Sequence, residues 1–330
     1  MPALLRCALF YLITLIGVDG AIARADEWPN GKFKRAIIIG IDGLGGHYFA
    51  NTSDDQAPFL RSMVDSPQAC YNFRARMKAT PLGSSHRCSG MTPSETGILD
   101  NEWDVLDLDP QGVPPVSGRG QLPPTIFKIA KKRNKNIRTA LVHSWHWLGR
   151  LADENVDHTF HGGNEADHKT ARDLVEQIKS LNPPHLSFIQ FSWVDNAGHS
   201  SYWGSDKYYR FLKLVDGLVK NIHDALQEKM LSTETLIVIT SDHGGYGSGH
   251  TLWMRPTAQV PVIFFSPSRS MKEPGKKGWD GWLDIKDVAP TVLGAMGIRN
   301  EYGRVQLQMG GQLVIPEQLE DREIAVPEGS

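Results

Sequence analysis

The sequence predicts an α/β protein in which helices flank a largely parallel central sheet. Five short apolar runs rich in β-branched residues have the composition of strands buried on both faces; they span 35–41, 137–142, 186–191, 236–240 and 260–265. Between them, 170–181 and 207–226 carry apolar residues at helical spacing. Such alternation favours parallel strands connected through helices.

Length and composition are those of one soluble domain. The chain has 330 residues, 40% hydrophobic and 22% charged, with a formal net charge of −2. This charge gives no electrostatic reason to expect a nucleic acid polymer or a membrane surface as partner, so we expect a small-molecule substrate. We assign 26–310 to the domain and 311–330 to an extended tail. The oligomeric state is left open.

The first 25 residues have the pattern of an export signal. Arg6 precedes an apolar run over 8–18, and small residues that suit cleavage after Ala23 or Ala25 follow. The run is short for a bilayer span, so an uncleaved anchor is the weaker alternative. The pattern predicts a secreted or periplasmic protein without stable membrane insertion after cleavage.

Two cysteines remain once Cys7 leaves with the leader. In an oxidising compartment Cys70 and Cys88 can form a disulfide. Two buried thiols are an equally good interpretation, because the sequence does not give the distance between them.

Acids and histidines follow three of the apolar runs. An aspartate before a glycine is by itself usually a turn, and an isolated histidine usually a core or surface residue. Several of them at the carboxyl ends of parallel strands indicate instead ligands for divalent ions. The set comprises Asp42 after the first run, Asp195 and His199 after the third, and Asp242, His243 and His250 after the fourth.

These clusters resemble the alkaline phosphatase superfamily, and most closely its type I nucleotide pyrophosphatase/phosphodiesterase branch. The resemblance runs from about residue 37 to about 297 and rests on the Asp-x-x-x-His and Ser-Asp-His-Gly elements together. It implies an alkaline phosphatase-like sandwich with two metal ions. One ion would take Asp195, His199 and His250, and the second Asp42, Asp242, His243 and the oxygen of the nucleophile.

The nucleophile is assigned by counting within the same resemblance. The branch places a threonine or serine ahead of a Thr-Gly-x-x-Pro-x-x-x-Gly-Ile signature, which resembles 89–98 here. A gapless count back gives Thr80, which would also be a metal ligand. Ser84 and Ser85 are the alternatives if a gap intervenes, and helix capping is the structural alternative for each hydroxyl.

One position departs from the branch. An asparagine usually lies three residues after the nucleophile and donates a hydrogen bond to a phosphate oxygen, whereas this chain has Gly83. A backbone N–H, or the side chains of His86 and Arg87, would have to replace it. The departure leaves the choice between diesters and monoesters open.

The resemblance implies a metal-dependent hydrolase of phosphate esters, most closely a phosphodiesterase or nucleotide pyrophosphatase with a phosphoryl-threonine intermediate. Zinc is the branch's usual metal, and mixed oxygen and nitrogen ligands also admit manganese. A phosphomonoesterase or phosphonate hydrolase is the nearest alternative, and a catalytically silent metal-stabilised binding protein is the alternative of another class. A sulfatase is disfavoured, because Cys88 is not followed by the proline and arginine of Cys-x-Pro-x-Arg.

Aromatic residues follow two of the runs. Trp145 and Trp147 come after the second, and Tyr202 and Trp203 after the third. Such side chains can stack on a substrate, but tryptophans beside strands are more often part of the core. The sequence favours the core interpretation.

Overall fold

The computed structural model describes residues 31–76, 96–98, 103–109, 118–252, 254–271 and 283–299, and the backbone of 308–309 and 312–313. The predicted leader, the candidate nucleophiles Thr80, Ser84 and Ser85, and Cys88 lie outside these residues. Cys70 is buried, and its pairing with Cys88 stays a prediction.

A sheet of seven strands forms the centre of the described part of the chain. Its order is β2-β7-β6-β1-β5-β3-β4. All neighbouring pairs from β6 to β4 are parallel, and only β7 runs the opposite way, antiparallel to both β6 and β2. The strands are β1 Arg35–Ile41, β2 Ala69–Arg76, β3 Thr139–His143, β4 His158–His161, β5 Leu186–Phe191, β6 Thr235–Thr240 and β7 Gln259–Phe265.

The largely parallel sheet confirms the fold class expected from the sequence. All five apolar runs are strands, with bounds that differ by up to two residues from the prediction. The two edge strands, β2 and β4, were not predicted. β4 has only four residues with alternating half-buried and exposed positions, and such short, partly polar edges lack the continuous apolar run of a central strand.

Helices cover both faces of the sheet. Along β1, Ile37, Ile39 and Ile41 face a core that includes Leu174. Ile38 faces the opposite core, as the alternation of side chains along a strand requires. The helices are α1 Gly46–Ala50, α2 Pro58–Asp65, α3 Ile126–Arg133, α4 Asp167–Lys179, α5 Trp193–Ser201, α6 Asp206–Glu228, α7 Arg255–Ala258 and α8 Val288–Ala295.

A short two-stranded pairing lies near the predicted end of the domain. Gln308–Met309 pairs antiparallel with Gln312–Leu313, and the predicted boundary between 310 and 311 lies between these two paired segments. Among the described helices, none has the length and apolar character needed to cross a membrane.

The strand order places three chain segments side by side at one edge of the sheet. β1 lies between β5 and β6 and is parallel to both, with Ile41 beside Phe191 and Gly40 beside Thr240. The residues that follow these strands therefore emerge together, as they do at the carboxyl ends of open α/β sheets.

Candidate metal centre

Three side chains form an inner ligand group at this edge. The ligand atoms of Asp42, Asp195 and His243 all lie within 4.8 Å of one another. His243 Nε2 is 3.5 Å from Asp42 Oδ1 and 3.9 Å from Asp195 Oδ1. Asp42 and His243 are buried, so an ion held here would be largely shielded from solvent.

The tautomer of His243 is fixed by its neighbour. Its Nδ1 donates to the carbonyl oxygen of Gly244 at 2.9 Å, so Nε2 presents its lone pair to the carboxylates. Asp242 Oδ2 lies 3.8 Å from the same Nε2. Its other oxygen accepts from the backbone N–H groups of Gly43 and His243.

Asp195, which the resemblance assigns to the first ion, lies in the inner group of three as well. Asp242, which the resemblance assigns to the second ion, lies beside that group, and its assignment stays a prediction. Asp195 turns one oxygen to each group: Oδ1 faces His243, and Oδ2 lies 3.4 Å from His199 Nε2. Asp195 therefore joins the two groups, with Asp242 beside them.

The outer ligand group consists of Asp195, His199 and His250, the set predicted for the first ion. Asp195 and His199 are four residues apart on α5, which brings both side chains to one face of the helix. His199 Nδ1 donates to the carbonyl oxygen of Ser248 at 2.8 Å. This bond leaves Nε2 as the metal-facing atom, and it ties the helix to the loop that carries His250.

His250 reaches the centre through a tight loop after β6. Its ring stacks on His243 with centroids 3.7 Å apart and an interplanar angle of 11°. Burial, aided by the neighbouring His243, lowers the pKa of His250 to about 4, so its imidazole is neutral at pH 7, as a metal ligand must be. Burial raises the pKa of Asp195.

The donor set fits divalent transition metals. Imidazole nitrogens and carboxylate oxygens are the ligands that zinc and manganese take in proteins. In the described part of the chain, Asp195 Oδ1 and His250 Nδ1 are buried and have no hydrogen-bond partner. Buried polar atoms normally have one, and an ion at either group would satisfy such atoms.

Gln190, which the sequence analysis did not single out, supports the inner group. It is the one polar side chain in the second half of β5, and it is fully buried. Its Nε2 donates to Asp42 Oδ2 at 2.9 Å, and its Oε1 accepts from the backbone N–H groups of Ser144 and Trp145. The sequence did contain a signal for this supporting role, because Gln190 is a lone polar residue inside an apolar run.

Asp167 holds the start of the ligand-bearing helix. It is fully buried at the beginning of α4 and accepts from the backbone N–H groups of Ser192 and Trp193 and from the hydroxyl of Ser144. Burial raises its pKa to about 6 although these hydrogen bonds oppose the shift. Nothing in the local sequence distinguishes Asp167 from an exposed helix-start acid.

Close packing around Trp203 requires glycine at two positions of the metal centre. Trp203 is buried, its Nε1 donates to the carbonyl oxygen of Gly43 at 2.8 Å, and its ring meets His199 edge-on. A Cβ added at Gly198 or Gly245 would lie 2.6 or 2.2 Å from this ring. Trp203 thus belongs to the support of the ligands, in agreement with the core interpretation.

A cleft of about 280 Å³ opens over both ligand groups. Of the aromatic residues singled out, Trp145 lines this cleft, Trp147 lies under the guanidinium of Arg150 at 3.7 Å, and Tyr202 is exposed. The described lining residues are Asp42, Trp145, Asn164, Ser192, Asp195, Asn196, His199, Asp242, His243 and His250.

The fold and the two ligand groups define an alkaline phosphatase-like domain. The chain belongs to the type I phosphodiesterase/nucleotide pyrophosphatase family, whose profile matches residues 36–248. That range contains all the candidate ligands except His250.

Solved structures with the same fold include hydrolases of two ester classes. A putative sulfatase from Bacteroides thetaiotaomicron superposes with a TM-score of 0.62 at 15% identity, covering 84% of this chain and 73% of that one. Murine ectonucleotide pyrophosphatase/phosphodiesterase 5, in an inactive threonine-to-alanine form with AMP, superposes with a TM-score of 0.58 at 11% identity, covering 81% and 97%.

Among curated proteins, an arylsulfatase from Clostridium perfringens is 31% identical over 94 residues. The match covers 26% of this chain and 19% of the arylsulfatase, so it spans about a fifth of that protein's length.

Proposed function

We propose that the protein is a two-metal phosphodiesterase. The observation that carries this proposal is the charge of the cleft: its described lining has three aspartates, three histidines and no lysine or arginine. Two divalent ions against the three carboxylates of the described lining leave one net positive charge when the histidines are neutral. A phosphate diester carries one negative charge and matches it, whereas a monoester dianion leaves negative charge unbalanced in a low-dielectric site.

The proposed reaction is displacement at phosphorus in two steps. When bound, the ions supply Lewis-acid stabilisation of the phosphoryl oxygens and of the attacking and leaving oxygens. The hydroxyl of Thr80 attacks phosphorus, and the first alcohol leaves with the proton of that hydroxyl. Water then hydrolyses the phosphoryl-threonine, which still carries the second ester group, so that a phosphate monoester is released and the hydroxyl is restored. A threonine nucleophile is supported by the murine structure, whose threonine-to-alanine form is described as inactive.

The ligand residues have separate tasks in this proposal. Asp42 and His243 hold the ion beside the nucleophile, while His199 and His250 hold the ion that faces the more open side of the cleft. Asp195, between the groups, fixes their separation. Zinc is the metal we propose first, with manganese as the alternative, and export through the leader at 1–25 would place the activity outside the cytoplasm.

A sulfatase is the second candidate, because the curated match and one superposed structure carry that description. A sulfate monoester also carries a single negative charge, so the charge argument alone admits it. The sequence at Cys88 speaks against it, since the proline and arginine of Cys-x-Pro-x-Arg are replaced by other residues.

A substrate panel tests the proposal. Purified mature protein is assayed on nitrophenyl phosphate diester, phosphate monoester and sulfate, with zinc, with manganese and after chelation. We expect the highest kcat/KM for the diester, with loss on chelation and recovery on adding metal. Preference for the sulfate would favour the second candidate, and metal binding without turnover of any ester would favour a silent binding protein.

A further inference from the structure

Ser192 lines the cleft directly before α5, the helix that carries Asp195 and His199. It directly follows β5 and precedes α5, it is buried, and it lines the cleft together with Asp42 and Asp195. Its hydroxyl makes no capping bond to α5. A serine at a helix start normally uses its hydroxyl for that bond, so this hydroxyl has a different role.

The orientation of the neighbouring Gln190 amide is determined by its partners. One end of the amide faces the backbone N–H groups of Ser144 and Trp145 at 3.1 and 2.9 Å. Both are donors, so that end must be the oxygen. The NH₂ end therefore faces Asp42 Oδ2 at 2.9 Å and Ser192 Oγ at 3.0 Å.

This orientation fixes the polarity of the Ser192 hydroxyl. Since an amide NH₂ only donates, Ser192 Oγ accepts from Gln190 and keeps its own proton for another partner. No described residue accepts that proton. The serine backbone is held in turn, because its N–H donates to Asp167 at 2.9 Å and Asp167 also accepts from the Ser144 hydroxyl at 2.6 Å.

Four buried residues thereby close a hydrogen-bonded ring beneath the cleft. Gln190 donates to Ser192, Ser192 donates through its N–H to Asp167, Ser144 donates to Asp167, and Ser144 donates through its N–H to Gln190. The ring joins the ends of β3 and β5 to the starts of α4 and α5. A donor held by such a ring needs little reorganisation when charge develops near it.

We propose that the Ser192 hydroxyl donates a hydrogen bond to a non-bridging oxygen of the bound phosphate ester, with Gln190 as the residue that positions it. The inference rests on the proposed function. It supplies a side-chain donor in a chain that has Gly83 where related diesterases have asparagine. Gln190 also bonds Asp42, so one side chain aligns the substrate donor with the inner ligand group.

Removal of the hydroxyl is the first test. With Ser192→Ala we expect kcat/KM for the nitrophenyl diester to fall about 10- to 100-fold, mostly in kcat if the bond strengthens in the transition state. Metal content per chain and thermal stability should remain near the wild-type values. Ser200→Ala is the matched control, because its hydroxyl lies on the same helix but bonds Asn196 and Lys207 at the exposed side.

A sulfur substitution on the substrate tests the contact itself. Replacing one non-bridging oxygen of the diester by sulfur weakens that atom as a hydrogen-bond acceptor. For one of the two stereoisomers, wild type should therefore show a larger loss of rate than Ser192→Ala. Equal losses in both proteins for both stereoisomers would overturn the inference, even if the wild type is a diesterase.

The third test concerns the positioning residue and does not depend on turnover. In Gln190→Met the amide that holds the Ser192 hydroxyl is removed without adding a charge beside Asp42, so the hydroxyl is no longer directed into the cleft. We expect weaker binding of orthovanadate by calorimetry in this variant and in Ser192→Ala, by similar factors. Wild-type vanadate affinity in Ser192→Ala would contradict the assignment, whereas absence of diester hydrolysis by the wild type would contradict the proposed function instead.

Discussion

Both ends of the central sheet carry acids and histidines, but the two ends differ in whether the polar atoms of these side chains have hydrogen-bond partners. At the carboxyl ends of β1, β5 and β6, acids and histidines converge, and two buried ligand atoms lack partners in the described residues. At the amino ends of the same strands lie Arg35, Glu234 and His185, and each of these has partners. Arg35 Nε donates to Glu234 at 2.8 Å, and its Nη1 donates to two proline carbonyl oxygens.

This difference distinguishes the candidate metal site at the carboxyl ends of the strands from a cluster with a structural role at their amino ends. Polar groups whose hydrogen bonds are complete contribute to the stability of the fold, whereas buried ligand atoms without partners cost stability until something binds. We therefore expect changes at the carboxyl end to alter activity and metal content, and changes at the amino end to alter stability. Five predictions test that division.

The largest effect is expected for Asp195→Ala, which removes the residue shared by both ligand groups. Each ion contributes several kcal/mol to the transition state, so loss of both should lower kcat/KM by at least about 10⁴-fold. Metal analysis should show fewer than one ion per chain. The metal-free variant should unfold at the same temperature as metal-free wild type or higher, because a buried carboxylate has gone.

Thr80→Ala should lower kcat by at least about 10³-fold, because the proposed nucleophile is removed. Metal binding should weaken only modestly, so the assay is done at saturating zinc. Thr80→Ser should keep measurable turnover, since a hydroxyl remains. If Ser84→Ala or Ser85→Ala abolishes turnover while Thr80→Ala does not, the gapless count was wrong, although the ligand groups would be unaffected.

His250→Ala should have a smaller effect, because His250 contributes a ligand atom to the outer group only. We expect about one ion per chain and a loss of about 10²- to 10³-fold in kcat/KM at saturating metal. Equal loss of both ions would mean that the inner group depends on the outer one. That result would remove the distinction between the groups but not the distinction between the sheet ends.

The sequence was sufficient for the parts of the molecule that depend on local pattern. Apolar runs identified the central strands, and the residues after β1, β5 and β6 were correctly expected to meet at one edge. The support of the site was missed, because Gln190, Asp167 and Ser192 act through contacts between residues distant in sequence. The dual role of Asp195 could not be predicted either, since it depends on which way two carboxylate oxygens point.

The next prediction concerns stability at the amino end. Arg35→Met leaves the half-buried Glu234 without its closest partner and the carbonyl oxygen of Pro184 without its donor, which should cost about 1–3 kcal/mol in the free energy of unfolding. Denaturant titration measures this loss. Lys220→Met is the control, because its pair with Asp224 is exposed on α6 and should contribute less than about 1 kcal/mol. The diester kcat/KM of folded Arg35→Met should remain near the wild-type value.

The smallest effect is a pH dependence that arises at the same end. Burial, together with Arg35 and Arg138, lowers the pKa of His185 to about 3, and its Nδ1 accepts from the backbone N–H of Arg138 at 2.9 Å. The unfolded chain binds this proton below about pH 6.5, while the folded protein does not. The stability contributed by neutral His185 is therefore complete above pH 6.5 and is lost as the pH falls toward 3.

His185→Gln isolates this contribution, because glutamine retains an acceptor and cannot titrate. His143 acts in the same direction, with its pKa lowered by burial to about 4, and Asp167 acts in the opposite one. The comparison must therefore be the difference between variant and wild type in the same buffers. Between pH 6 and 4 the wild-type free energy of unfolding should fall more steeply, by up to about 1.4 kcal/mol per pH unit. If the two curves of unfolding free energy against pH are parallel, His185 takes up its proton in the folded protein as readily as in the unfolded chain. The amino end of the sheet would then contain a buried charged histidine, and the contrast between the two ends would be lost.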